Sequence, residues 1–295
     1  MIPKYIDIHS HVNFKAFDED RDVVIKRALE NNTWVINAGT QIDTSKKAIE
    51  LAHQYEEGVY AAIGLHPIHT DASFHDEQEL GPAFAKTLDG QGKEGFVSRG
   101  EDFDKDIYLK FAKDSKVVAI GECGLDYYHL GEEQIEKQKK VFIEQIKLAN
   151  EVGKPLVLHI RDAYSDTISL LKEYVDMKDH INGLAGVVHF FAGTWKEAQE
   201  FLDLGFMLSF TGVITFPPRK NGKNCNYEEI IKNIPLDMIL SDTDSPYLAP
   251  VPFRGKRNEP VYVREIVKKI AEIKNLTEEE MAKIIISNAK RLFDI

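Results

Sequence analysis

Cysteine is scarce in this chain: among 295 residues only Cys123 and Cys225 occur, and they form neither a disulfide nor a metal-binding pattern. Cys123 stands inside a strand-end motif, where a small buried thiol is expected, and a reduced cytoplasmic protein fits such sparse cysteine. Long apolar runs are missing too. None approaches the ~20 residues of a membrane span. The first ten residues carry Asp7 and His9 instead of a signal-peptide core, so no membrane partner is expected. The triplets Asn31-Asn32-Thr33 and Asn275-Leu276-Thr277 match the glycosylation pattern but carry no weight without an export signal. Positive charge is in deficit, with 37 Lys and Arg against 48 Asp and Glu, a net charge of −11. That balance opposes broad, nonspecific duplex binding. It does not exclude a nuclease, because a basic rim or bound cations can reverse the potential inside an acidic protein's cleft.

What is abundant is alternation. Short apolar runs rich in β-branched residues alternate with amphipathic stretches, the pattern of repeated βα units around a parallel sheet. The runs predict eight strands, near 5–9, 33–38, 59–64, 117–122, 155–160, 185–190, 206–211 and 237–242. Helices are predicted over Thr44–Tyr55, Glu132–Val152, Ala163–Met177 and Trp195–Leu204, with two more after the last strand. The final one opens with Thr277 three residues before Glu280, a capping-box pattern. Eight strands with intervening helices predict a closed (β/α)8 TIM barrel, for which ~250 residues is typical. A doubly wound open sheet is the competitor, but it collects ligand groups at one switch point. The surplus length falls in an insertion between strands three and four, about 71–112, which contains Gly81, Pro82, Gly90, Gly92, Gly95 and Gly100. It reads either as a surface excursion with a helix near Phe103–Lys113 or as a lid. No segment suggests a linker, a repeat or a second domain, so 1–295 reads as one domain.

Six potential metal ligands stand at the ends of separate predicted strands. Asp7-Ile8-His9-Ser10-His11 ends the first, and Glu122 closes Val117-Val118-Ala119-Ile120-Gly121. His159 follows Leu156-Val157-Leu158, His189 follows Gly186-Val187-Val188, and Asp244 follows Met238 to Thr243. Polar groups are costly inside an apolar layer and collect where strands emerge from it. In parallel strands those ends share one mouth, and four imidazoles with two carboxylates there are the parts of a two-metal hydrolase. His9 and His11, two apart on a strand, point to one face. Glu122 could bridge two ions, one oxygen each. Asp244 could share the ion of His9 and His11 and accept a proton from bound water. Asp242 lies on the same face, and spacing alone does not choose between them.

Around these lie further candidates. His66 and His69, in Gly64-Leu65-His66-Pro67-Ile68-His69, could orient substrate, donate a proton to a leaving group, or merely hold a loop. Arg161, just past His159, could bind a phosphate bidentately. Arg254, Lys256 and Arg257 form a basic cluster after the last strand, either a solvated loop or a phosphate-binding one.

Taken in order, these motifs resemble those of the TatD-family metal-dependent deoxyribonucleases, a branch of the amidohydrolase-like barrels. The resemblance extends through Gly121-Glu122-Cys123-Gly124-Leu125-Asp126-Tyr127-Tyr128, His159-Ile160-Arg161-Asp162-Ala163, Thr243-Asp244-Ser245-Pro246-Tyr247-Leu248, Arg254-Gly255-Lys256-Arg257-Asn258-Glu259-Pro260 and Asn288-Ala289-Lys290-Arg291-Leu292-Phe293. It implies two divalent ions: one held by His9, His11, Glu122 and Asp244, the other by Glu122, His159 and His189. It also favours Asp244 over Asp242. The implied activity is hydrolysis of DNA phosphodiesters, commonly 3′-to-5′ on single strands, with no obligate protein partner. Mg²⁺ or Mn²⁺ is expected to support activity, with Zn²⁺ or Ni²⁺ also suited to the ligands. In that reading Glu122, Asp244 and His66 act in catalysis, and Arg161 and Arg257 hold substrate. There are departures. Phe190-Phe191-Ala192-Gly193 stands where the family usually has Cys-Phe-Ser-Gly, Cys123 replaces an aliphatic residue or Thr, and the insertion is long. Two alternatives stay open: a metal-dependent amide, lactone or aminoacyl-ester hydrolase on the same barrel, and a barrel retained only for binding.

Overall fold

The computed structural model describes residues 3–71, 100–128, 130–176, 181–217 and 225–295. Eight strands follow the predicted order: β1 (Tyr5–Ser10), β2 (Thr33–Ala38), β3 (Val59–Ile63), β4 (Val117–Asp126), β5 (Leu156–Arg161), β6 (Gly186–Val188), β7 (Phe206–Phe210) and β8 (Ile239–Ser241). They form one sheet in chain order, each pair parallel. The end of β1 pairs with the segment past β8 through a Ser10–Ser245 bridge, and His11 N–H donates to the Ser245 carbonyl at 2.7 Å. That contact brings the first and last strands together, and the (β/α)8 barrel stands as predicted.

The strands form because runs such as Val117-Val118-Ala119-Ile120 and Leu156-Val157-Leu158 are buried, as parallel strands between a filled interior and an outer helix layer must be. Helices Ile42–Ala52, Glu132–Val152, Tyr164–Tyr174 and Trp195–Asp203 cover the outside. The longest carries Ile135, Phe142, Ile146 and Ala149 at helical spacing; the last three are buried and Ile135 is half-buried. The last helix, Glu278–Phe293, has its capping box: Glu280 N–H donates to Thr277 Oγ1 at 3.2 Å, and Thr277 N–H donates to Glu280 Oε2 at 2.9 Å. Such a cap contributes about 1 kcal/mol. None of the described helices is long and apolar enough to cross a membrane. Of the insertion, helix Lys105–Ala112 is seen where Phe103–Lys113 is predicted. The stretch with Gly81 to Gly95, and with it the lid reading, lies outside the described residues.

Two irregularities matter more for the site than the regular sheet. Along β1 the register runs from Asp7↔Val35 to Ser10↔Asn37, three residues against two. Along β4 it runs from Ile120↔Leu156 to Cys123↔Leu158, again three against two. Each strand thus carries one extra residue, a bulge that bends the chain and re-aims the side chains beside it. His9 sits in the first bulge and Glu122 in the second. The β4 bulge needs glycine on both sides of Glu122. Gly121 has φ +155 and Gly124 φ +138, and a Cβ would lie 2.5 Å from the Val157 carbonyl oxygen or 2.1 Å from that of His159.

Candidate metal centre

Glu122 lies at the middle of the mouth, 3% exposed, with its two oxygens facing different neighbours. Oε2 is 3.2 Å from His9 Nε2 and 3.5 Å from His11 Nε2. Oε1 is 2.9 Å from His159 Nδ1, 3.2 Å from His189 Nε2 and 3.3 Å from His66 Nε2. Asp244 Oδ1 completes the first group at 3.5 Å from His11 Nε2 and 4.0 Å from His9 Nε2. Three triads have ligand atoms within 4.8 Å of one another: His9–His11–Asp244, His9–Glu122–His189 and His66–Glu122–His159. All six residues predicted as ligands lie at one mouth, but the triads differ from the expected sets: His189 groups with His9 and Glu122, and His159 with His66 and Glu122.

The donor set fits divalent ions. His9 Nε2 and His11 Nε2 are 3.1 Å apart. Two nitrogens each about 2.0–2.1 Å from one ion lie about 2.9–3.4 Å apart, depending on coordination geometry. The outer nitrogen of His11, Nδ1, is 3.0 Å from the Ala38 carbonyl, which only accepts, so the hydrogen is on Nδ1 and the Nε2 lone pair faces the site. His189 Nδ1 lies 3.6 Å from Asp242 Oδ1, and both atoms are buried with no hydrogen-bond partner among the described residues. Ser209 Oγ donates to the other oxygen of Asp242. The choice that alternation left open is thus resolved in space. Asp244 faces His9 and His11, and Asp242 stands behind His189.

Backbone contacts hold these groups in place. Asp244 adopts φ +53 and Phe190, next to His189, φ +46. Left-handed backbone at a non-glycine residue costs about 1–3 kcal/mol and concentrates at functional sites. Asp244 N–H donates to the His9 carbonyl at 3.0 Å, and Asp7 accepts from Thr243 N–H at 2.8 Å and from its hydroxyl, pinning the exit of β8 to β1. Burial pushes the Asp7 carboxyl well above the usual range, only partly offset by Thr243. Asp7 is a strut of the mouth.

The electrostatics follow from one carboxylate among imidazoles. Burial opposes the charge on Glu122, but His66, His9 and His189 outweigh it and hold the carboxyl well below its usual range. Burial, reinforced by His189, lowers His9. Burial also lowers His159, yet Asp126 and Glu122 outweigh it and raise the imidazole to about 9. The side chains of His159 and Asp244 are 21% and 13% exposed against 5% for Glu122, so the centre opens to solvent above these two.

His66 has a defined polarity. Ile68 N–H donates to its Nδ1 at 3.2 Å, which leaves the ring hydrogen on Nε2, directed at Glu122 Oε1. His69 is buried, and burial first, then His66, pushes it down to about 3. Arg161 lies over the Tyr128 ring at 3.7 Å. Arg257 is placed differently from the expectation. It donates to both oxygens of Asp20 at 2.9 and 2.6 Å and to the Ala16 carbonyl at 2.8 Å, and it covers the Phe17 ring at 4.3 Å. With Asp20 matching its charge and taking bonds from both Nη1 and Nη2, Arg257 braces the loop after β8. Asp126 is the site residue that strand-end logic missed. β4 continues four residues past Glu122, and Asp126 Oδ2 lies 3.0 Å from His159 Nε2. The signal was a second acidic residue two positions past Gly124.

Residues 6–294 match the family described as TatD related DNase. This chain belongs to that family. Among its TatD-family relatives, the uncharacterised metal-dependent hydrolase YabD of Bacillus subtilis is 39% identical over 290 residues, covering 98% of each chain. The uncharacterised metal-dependent hydrolase YcfH of Escherichia coli is 38% identical over 199 residues, 68% of this chain and 71% of that one. Among solved structures, the TatD homologue YjjV of Escherichia coli superposes with a TM-score of 0.77 at 26% identity, covering 100% of both.

Proposed function

We propose that this TatD-family protein is a cytoplasmic, two-metal phosphodiesterase that hydrolyses DNA, removing nucleotides from the 3′ end of single strands. The observation that carries the reading is the division of Glu122: one oxygen faces His9 and His11, the other faces His159 and His189. A carboxylate so placed would serve both halves of a divalent pair. The imidazoles suit Mn²⁺, Zn²⁺ or Ni²⁺, the carboxylates also accept Mg²⁺, and Mg²⁺ or Mn²⁺ is the ion expected to support activity. A divalent pair bound there supplies positive charge to the phosphate and an activated water.

The chain's own residues do the rest. Asp244, at the open edge beside His11, accepts the proton of the attacking water. His66 holds its Nε2 hydrogen toward a phosphate oxygen or the departing oxygen as a hydrogen-bond donor, with no proton transferred. It can do so as a neutral ring, since burial lowers its pKa against the opposing pull of Glu122. Arg161, whose guanidinium carbon lies over the Tyr128 ring, would hold the neighbouring phosphate. Glu122 holds the strand-four position where a modified lysine would serve an amide hydrolase, which favours phosphodiester chemistry.

End-labelled single-stranded DNA, assayed with Mg²⁺ or Mn²⁺ beside ester, lactone and amide substrates, tests the reading. Stepwise loss of nucleotides from the 3′ end, abolished by chelator, is expected. Turnover of only the ester or amide substrates would replace it, and ion binding without hydrolysis of any substrate would leave a binding protein.

A further inference from the structure

Asp126 belongs to none of the ligand groups, yet it accounts for the second nitrogen of His159. Nδ1 of that ring faces Glu122 Oε1 at 2.9 Å, and Nε2 faces Asp126 Oδ2 at 3.0 Å. Both neighbours are carboxylates that only accept, so without an ion both nitrogens carry a hydrogen; an ion taken up beside Glu122 would displace the one on Nδ1, and Asp126 would keep the other on Nε2. Asp126 cannot swing away. Its N–H donates to the Gln138 side-chain oxygen at 2.9 Å, and its Oδ1 accepts from Tyr128 N–H at 3.0 Å. It pairs in register with Arg161 across β4 and β5, and Tyr127 N–H donates to the Arg161 carbonyl at 2.9 Å. At 3% exposure it is closed to solvent. His11 meets the same need through the Ala38 carbonyl, so each half of the centre has its own outer acceptor.

We propose that Asp126 is a positioning residue that fixes the ring of His159 so that Nδ1, not Nε2, binds the ion shared with His189. The inference rests on the two-ion reading. A ligating imidazole depends on the acceptor behind it for orientation and basicity, and loss of that acceptor weakens the ion by about 10–100-fold. An amide in place of the carboxylate has a single oxygen, which can answer Tyr128 N–H or His159 Nε2–H but not both.

Calorimetric titration of wild type and Asp126→Asn with Mn²⁺ tests this. The expected result is two ions in wild type, with one of them about 10–100-fold weaker in the variant. The ion on the His9 and His11 side should be unchanged. ¹⁵N NMR of the Zn²⁺-loaded wild type should show His159 with its hydrogen on Nε2, a reading that does not depend on the variant folding. Two ions at wild-type affinity in Asp126→Asn, or a hydrogen on Nδ1 of His159 in wild type, overturns the role of Asp126 alone. Fewer than two ions in wild type overturns the two-ion reading, and this inference falls with it.

Discussion

His159 Nδ1 lies 2.9 Å from the Glu122 oxygen that faces away from His9, so a single carboxylate joins the β4 and β5 side of the mouth to the β1 side. Removing that carboxylate should therefore disable both halves at once. In Glu122→Ala the expected outcome is loss of hydrolysis by at least about 10³-fold, since ion-based charge stabilisation is worth several kcal/mol. Ion uptake should fall and the far-UV circular dichroism should stay the same. Wild-type turnover in this variant would falsify the assignment.

Ion uptake should release protons. His159 is raised to about 9 once Asp126 and Glu122 overcome burial, and Glu122 and Asp242 likewise raise His189 against burial. Both rings are then protonated at neutral pH without an ion, whereas a ligand imidazole must be neutral. Affinity on that side should rise with pH through the range in which His159, near 9, loses its proton. Calorimetry in buffers of different ionisation enthalpy reads the released protons; an affinity that does not change between about pH 6 and pH 8 contradicts the scheme.

His66 should separate catalysis from ion binding. Its Nδ1 is engaged by Ile68 N–H, and its Nε2 carries the hydrogen. His66→Ala is expected to lower kcat by about 10²–10³-fold, the usual contribution of a positioned hydrogen-bond donor to developing charge, with ion stoichiometry unchanged. Loss of an ion on titrating this variant would mean that His66 is a ligand after all.

The two arginines should behave differently. Arg161→Ala should weaken binding to single-stranded DNA and reduce the salt dependence by about one phosphate contact. Arg257→Ala should leave binding nearly unchanged. Because its pairing with Asp20 is partly solvated, the loss of stability should be about 1 kcal/mol or less. Fluorescence anisotropy across a salt series, with thermal melts beside it, checks both.

Gly124→Ala should be severe for a backbone reason. The added methyl would stand 2.1 Å from the His159 carbonyl oxygen at φ +138, so β4 or β5 must shift. A loss of about 3 kcal/mol or more is expected from combined strain and overpacking, read as a lower denaturation midpoint. An unchanged midpoint would mean that the β4 bulge tolerates a side chain.

The six candidate ligands were legible because each is a polar residue following a short, strongly apolar run, and parallel strands leave such residues nowhere to go but the mouth. Asp242 and Asp244 could not be separated that way. Both follow the same run on the same side of an ideal strand, and the left-handed turn at Asp244 that parts them is a local backbone event. Asp126 was hidden because β4 was expected to stop at Glu122 and instead continues to Asp126. Arg257 misled because sequence shows a cation near the mouth but not that Asp20, 237 residues away, already neutralises it.

The order of elements, the barrel and the candidate metal-binding side chains were determined by the sequence itself, because hydrophobic periodicity and strand-end polarity are local properties of a chain. Which oxygen of Glu122 meets which histidine, and which acceptor stands behind each ring, was decided only in the folded molecule. Those relations depend on bulges in β1 and β4 and on contacts between strands far apart in sequence, where a register change of one residue turns a side chain from one face to the other.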